Sequence, residues 1–326
     1  MIKILSATKK EALNAGPKAK LDIVSILKNK YGNLIIEETV YLVNSRIGNI
    51  FNRLKVVIKN KFSKDILIIQ HPLINNLDFL NLLPKKNSII LVHDLQGIRT
   101  NDSKLMKKEI KVLKKFSHII AHNDKMKEYL IDNGIREENI YKIELFDYLV
   151  SDKKVENKTI DGIAFVGNLA KEKTPFIHQL DEDKMKFNLH LYGVGIDKDI
   201  NNKIVYEGSF NPDELPLYIN QKLGLVWDGN YDESDKDKSY KNYTKYNNPH
   251  KLSCYIASGI PVIVWEKAAV ANFVKENNIG YVINNIYDIN NLSFDDYETK
   301  KKNVIEISKK VRNGYYTNKV FDEILK

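Results

Sequence analysis

A chain of 326 residues with 43% hydrophobic side chains is too long for one ordinary domain and too apolar to be disordered, so two domains with real cores are expected. The excess of 51 basic over 42 acidic residues, +9, is carried mostly by Lys spread among Asn, Ile and Asp. That spread marks a solvated surface and not the clustered stripe of a nucleic-acid binder. The single Cys254 cannot pair within the chain, Met1–Ser6 is too short for a secretory leader, and no apolar run nears the roughly 18 residues of a membrane span. A cytoplasmic chain is expected, with peripheral membrane contact left open.

In chain order, short apolar runs alternate with amphipathic segments, the pattern of parallel sheets covered by helices. The first half offers strands at Ile2–Ser6, Leu34–Val40, Ile66–Gln70, Ser88–His93, His118–Ala121 and Ile140–Ile143. A helix opens at Pro17, with Leu21, Val24, Leu27 and Tyr31 on one face; Asn14 and Gly16 stand where its cap belongs. Residues 149–159 turn polar and read as a linker. A second series follows: Ile163–Val166, Phe187–Tyr192, Ile204–Tyr206, Leu223–Trp227, Pro261–Trp265 and Tyr281–Ile283. Helical patterns cover Asp213–Gln221, Pro249–Ser258 and Ala268–Asn277. A polar loop, Asn230–Asn247, interrupts the series, and Tyr297–Lys326 is helical in pattern. Two doubly wound domains, 1–150 and 155–300, are expected, with a helical tail, 301–326, that crosses back onto the first. Ligands of such sheets bind outside the carboxyl ends of the strands, so a cleft between the two domains is the expected site.

The most informative segment runs from Tyr246 and Asn247 through Asn248, Pro249, His250 and Lys251 to Gly259 and Pro261. It reads as a loop, a helix with Pro249 at its start, a Gly259 stop and a buried strand. Free N–H groups and the positive dipole end make that helix start an anion site. Lys251 adds a charge, Asn248 and His250 add donors, and a diphosphate suits the set.

Here a resemblance emerges. Asn248-Pro249-x-Lys251-Leu252, Tyr255 and Gly259-x-Pro261-Val262 resemble the donor-site helix of GT-B glycosyltransferases. Phe165–Leu169 with Gly167, Leu189–Gly193, and Val205–Phe210 followed by Glu214-Leu215 fall in that family's order. In the first half, His93-Asp94-Leu95 with Arg99, His122–Met126, Phe146–Leu149 and the loop Asn14–Ala19 with Gly16 are similar to bacterial galactofuranosyltransferase-like and adhesin glucosyltransferase enzymes. The resemblance implies an α/β GT-B fold of two Rossmann-like domains. It implies a UDP-sugar donor on the second domain, a carbohydrate or glycosylated protein acceptor on the first, no obligatory metal or other cofactor, and self-association. It assigns the nucleotide diphosphate to Gly167, the Ser209–Phe210 turn, Tyr246, Asn247, Asn248, His250 and Lys251, while Gly16 shapes the acceptor side. Asn168 stands where relatives carry a basic residue, so Lys171 or Lys173 is expected to supply that charge. Tyr246 and Cys254 occupy positions where many retaining relatives carry Glu, so an inverting reaction is expected.

Inverting transfer needs a base for the acceptor hydroxyl. Asp94 is the first candidate and His93 the second, since both end an apolar strand, Ile89–Val92. Arg99 is placed to hold Asp94 or a phosphate, and His71 with Pro72 to line the acceptor side. Phe210 is favoured to stack on the base, and Trp227 and Trp265 are assigned to the core. Asp181-Glu182-Asp183 reads as a solvated face rather than a metal motif, and no P-loop or complete G-x-G-x-x-G occurs. Two alternatives keep the same architecture: a sugar-nucleotide epimerase, and a non-catalytic partner subunit.

Overall fold

The computed structural model describes residues 1–8, 17–42, 45–74, 76–152, 159–196, 200–231 and 239–326. The chain divides into two compact units, Met1–Glu144 with Tyr316–Lys326, and Leu145–Tyr315.

The first unit contains β1 (Ile2–Thr8), α1 (Lys18–Tyr31), β2 (Ile35–Tyr41), α2 (Arg46–Lys61), β3 (Ile66–His71), α3 (Leu77–Leu82), β4 (Ser88–Val92), α4 (Gln96–Arg99), α5 (Ser103–Leu113), β5 (His118–Ala121), α6 (Asp124–Asp132) and β6 (Ile140–Lys142). Its parallel sheet has the order β2-β1-β3-β4-β5-β6. All five residues of β4 are buried, as both faces of a central parallel strand require, which is why four of them, Ile89–Val92, read as uninterrupted Ile, Leu and Val. At the edge, β2 mixes Glu37 and Glu38 with its apolar residues. The chain leaves β1 for β2 on one side and returns to β3 on the other, so the sheet's switch point lies at the carboxyl ends of β1 and β3.

The second unit contains β7 (Ile160–Asn168), α7 (Pro175–Gln179), β8 (Leu189–Val194), β9 (Ile204–Gly208), α8 (Leu215–Tyr218), β10 (Gln221–Val226), α9 (Ser239–Tyr243), α10 (His250–Ala257), β11 (Val262–Trp265), α11 (Ala271–Glu276), β12 (Gly280–Ile283) and α12 (Tyr297–Arg312). Its parallel sheet has the order β12-β11-β10-β7-β8-β9, which puts the switch point between β7 and β10. Gly193 on β8 cannot be replaced there, because an added Cβ would sit 1.8 Å from the carbonyl oxygen of Gly167 on β7.

Two differences from the sequence reading have local causes. The helix expected over Asp213–Gln221 shrinks to α8: Ile219 is extended, and Gln221 enters β10, where its Oε1 accepts from the Tyr192 hydroxyl at 2.9 Å. The C-terminal helical pattern breaks at Gly314, whose φ of 71° ends α12 before α13 (Tyr315–Leu325) begins. From Tyr316 onward α13 belongs to the first unit, with Tyr316, Val320 and Phe321 buried.

Candidate functional site

In the second unit, α10 is fixed to the sheet by one side chain. Tyr255 reaches the β7/β10 switch point, where its hydroxyl accepts from the Val166 N–H at 2.8 Å and donates to the Leu225 carbonyl at 3.1 Å. Gly224 makes room for it: a Cβ there would lie 2.3 Å from the Tyr255 ring. Burial pushes the Tyr255 pKa well up, so the hydroxyl keeps its proton and its donor role. The preceding segment braces the other face of the helix. Ser253 Oγ donates to the Phe146 carbonyl at 2.6 Å, and His250 stacks on Tyr148 with ring centroids 4.8 Å apart. The Tyr148 hydroxyl in turn holds Pro212 O at 2.8 Å.

This anchoring delivers Lys251 to the carboxyl ends of β7 and β10. Its Nζ donates to the Trp227 carbonyl at 2.7 Å and to Asp228 Oδ1 at 2.9 Å, 4.4 Å from the centroid of the Phe165 ring. The charge expected at the helix start is therefore held beside a carboxylate, in a pre-set position. Pro249 caps α10 with no side-chain hydrogen bond to its first N–H groups. Asn248 is buried, and Asn247 Oδ1 is buried with no hydrogen-bond partner among the described residues. Tyr246 is half-buried.

The loop after β10 holds a second cation. Lys241 on α9 is buried between Trp227 and Trp265, with its Nζ 4.8 and 4.9 Å from their ring centroids. Trp227 Nε1 donates to Asn230 O at 3.0 Å, and Asn230 Oδ1 accepts from Gln179 at 2.9 Å. Val226, Asp228, Thr244 and Pro249 complete a small cavity with the two Trp. Both Trp are core residues, as expected, but they also clamp a lysine.

The other expected donor residues fall as follows. Gly167 and Asn168 end β7, and Asn168 Oδ1 accepts from the Ala170 N–H at 3.0 Å, so this side chain shapes the turn. Lys171 is exposed and Lys173 half-buried in that turn. Ser209 is exposed, while Phe210 stacks on Tyr218 at 4.6 Å, leaving at most one face for a base. Asp181 is exposed and pairs with Lys184. Among the described residues no group of His, Cys, Asp and Glu is arranged to hold a metal.

In the first unit, polar groups gather at the carboxyl ends of β3 and β4. His93 Nε2 lies 2.8 Å from Gln70 Oε1, and Asp94 Oδ2 accepts from Arg99 at 2.7 Å. Lys20 donates to Pro72 O; burial lowers its pKa and the charge of Asp94 partly offsets that. Gly16 lies outside the described residues. Next to this cluster a cavity of about 360 Å³ is lined by His71, Pro72, Asn76, Gln96, Lys108 and Glu109, among others. Its floor is a buried pair, Glu109 Oε1 with His71 Nε2 at 2.7 Å. The same carboxylate accepts from the Gln96 and Gly97 N–H groups at 3.0 and 3.1 Å, so its orientation is fixed. The sequence reading missed Glu109, Asp228 and Lys241. Asp228 alone had a signal, its place directly after the apolar run Leu223–Trp227.

Two parallel, doubly wound units in one chain, with polar groups at the carboxyl ends of β7 and β10 in one and of β3 and β4 in the other, are the architecture of the GT-B class. The glucosyltransferase 3-like N-terminal domain matches residues 1–145, and the glucosyltransferase 3-like C-terminal domain matches residues 163–324. The chain belongs to this glucosyltransferase 3-like family. It is 30% identical to beta-1,6-galactofuranosyltransferase WbbI of Escherichia coli K12, over 96% of this chain and 94% of that one. It is 26% identical to glucosyltransferase 3 of Streptococcus parasanguinis, over 79% and 78%. The fold is shared with Anabaena Alr3699/HepE in complex with UDP-glucose (TM-score 0.67, 14% identity, 100% and 99% covered) and with the apo lipopolysaccharide outer core galactosyltransferase WaaB (0.61, 14%, 99% and 99%).

Proposed function

We propose that this glycosyltransferase moves a hexose, glucose or galactofuranose, from a UDP-sugar onto a carbohydrate acceptor of a surface glycan or glycoprotein, with inversion and without a metal. The observation that carries this reading is the convergence of a helix start whose cap residue makes no side-chain hydrogen bond and an anchored Lys251 on the β7/β10 switch point. The UDP-glucose complex of the HepE neighbour and the galactofuranosyl and glucosyl names of the relatives support the donor class.

In this reading the diphosphate lies at the start of α10, where the N–H groups and Lys251 meet the charge that grows on the leaving UDP. Asp228 keeps Lys251 in place before the donor arrives, so little reorganisation accompanies the reaction. Gly167, Asn168, Lys171, Lys173, Ser209, Phe210, Tyr246, Asn247, Asn248 and His250 belong to the donor side, and Lys241 joins them as a buried charge. The acceptor occupies the cavity over His71 and Glu109. Its hydroxyl oxygen bonds to the anomeric carbon as the bond to UDP breaks, and UDP leaves with the electron pair. Asp94, oriented by Arg99, takes the hydroxyl proton, with His93 the second choice. A cytoplasmic site of action, self-association and contact with a membrane surface complete the proposal.

Calorimetric titration with UDP and GDP, with and without EDTA, tests the donor half on wild type and Lys251→Ala. UDP is expected to bind with or without EDTA, and the variant to lose about 10–100-fold, the usual worth of a charge-assisted hydrogen bond. A variant that binds UDP like wild type removes Lys251 from the site, and loss of binding in EDTA overturns metal independence.

A further inference from the structure

The exposed large apolar side chains of the described residues are most concentrated on α2. Ile47, Ile50, Phe51, Leu54 and Ile58 are 67%, 48%, 68%, 41% and 63% exposed. At about 100° per residue they fall within an arc of roughly 100° on the helix. The buried side of α2 is narrow and opposite, carried by Val56 and Asn60. An amphipathic helix normally turns its apolar stripe to the core; this one turns it to solvent.

The rest of the helix says what covers the stripe. Arg46, Arg53, Lys55, Lys59 and Lys61 accompany it, and α2 contains no acidic residue. Arg46 falls on one flank of the arc and Lys55 and Lys59 on the other, while Arg53 lies nearer the buried side, with its Nε buried. The carboxylates of neighbouring β2 are engaged: Glu37 with Lys28, and Glu38 with Lys59 and Asn60. Phe62, 83% exposed, follows the helix, and Tyr41, 63% exposed, precedes it. A second copy laid on this face about a two-fold axis would bring the same cations against each other. A surface of anionic lipid headgroups offers charge to the flanks and acyl chains to the stripe.

We propose that α2 is an interfacial helix that lies in the plane of an anionic bilayer, with Phe51 and its apolar neighbours sunk below the headgroups. This locates the peripheral contact suggested above and does not depend on the donor or acceptor assignments.

The test is co-sedimentation of the full chain with phosphatidylcholine vesicles, with and without about one third phosphatidylglycerol, at low and high salt. Wild type is expected to bind the anionic vesicles, to release them as salt screens the charges, and to ignore the neutral ones. Ile50→Glu with Phe51→Glu is expected to lower partitioning at least about tenfold while the melting curve is kept, since both side chains are exposed. Should that variant misfold, Lys55→Glu with Lys61→Glu gives the same reading through charge, and Phe51→Trp should show a blue-shifted emission on vesicles. Wild type that ignores anionic vesicles, or a variant that binds like wild type, overturns the proposal. So does a dimer seen in sedimentation that the variant dissociates, because a second copy then covers the stripe. UDP titration of the same proteins separates this failure from failure of the transferase reading.

Discussion

His122 shows how one buried side chain sets a pH window for the first unit. Its Nε2–H donates to the Val92 carbonyl at 2.7 Å, and burial pushes its pKa down to about 4 from an ordinary value near 6.5. Between those two values the unfolded chain carries a proton on this ring and the native chain does not. The unfolded state binds more protons, so stability rises with pH across the window and is lost as pH falls from 6.5 toward 4. At 1.36 kcal/mol per pH unit the cost sums to about 3 kcal/mol. His122→Gln is expected to be less stable at neutral pH yet flatter between pH 6.5 and 4 in a series of thermal melts. Parallel slopes for variant and wild type would assign the acid sensitivity to other groups. Glu109 was not legible: its partners, His71 and the Gln96 and Gly97 amides, are brought to it only by the fold.

At the scale of elements, the strands were readable because central parallel strands are apolar on both faces, and apolar runs such as Ile66–Ile69 state this locally. Helix α10 was readable because Pro249 and Gly259 punctuate both ends. Its anchoring was not, since nothing near Tyr255 in the chain reveals that its hydroxyl closes the ladder between β7 and β10. Tyr255→Phe tests that role. It leaves the Val166 N–H and the Leu225 carbonyl without the hydroxyl, each a buried group worth about 1–3 kcal/mol when unsatisfied. Denaturant unfolding should show a loss of a few kcal/mol, and UDP titration a weaker affinity, because Lys251 rides on the same helix. A destabilised variant with unchanged UDP affinity would mean that Tyr255 supports the sheet without positioning the site.

For the whole molecule, the chain's return matters most. Each unit has its own sheet and core, yet the first is completed only by the last eleven residues. There Phe321 is fully buried, Asp322 pairs with Lys30 and accepts from Tyr31, and Lys319 Nζ lies 2.7 Å from Glu144. Phe321→Ala should therefore cost the first unit about 3–5 kcal/mol, the usual penalty for emptying an aromatic site. For a unit of this size that is a fall of roughly 6–20 °C in its melting temperature. UDP at about 100 times its Kd should add about 2.7 kcal/mol to the second unit alone. Calorimetric melts of wild type and variant, each with and without UDP, are expected to show one transition that answers to the mutation and another that answers to the nucleotide. A single transition moved by both would show that the two cores unfold as one, and the donor site would then draw its stability from a helix at the far end of the sequence.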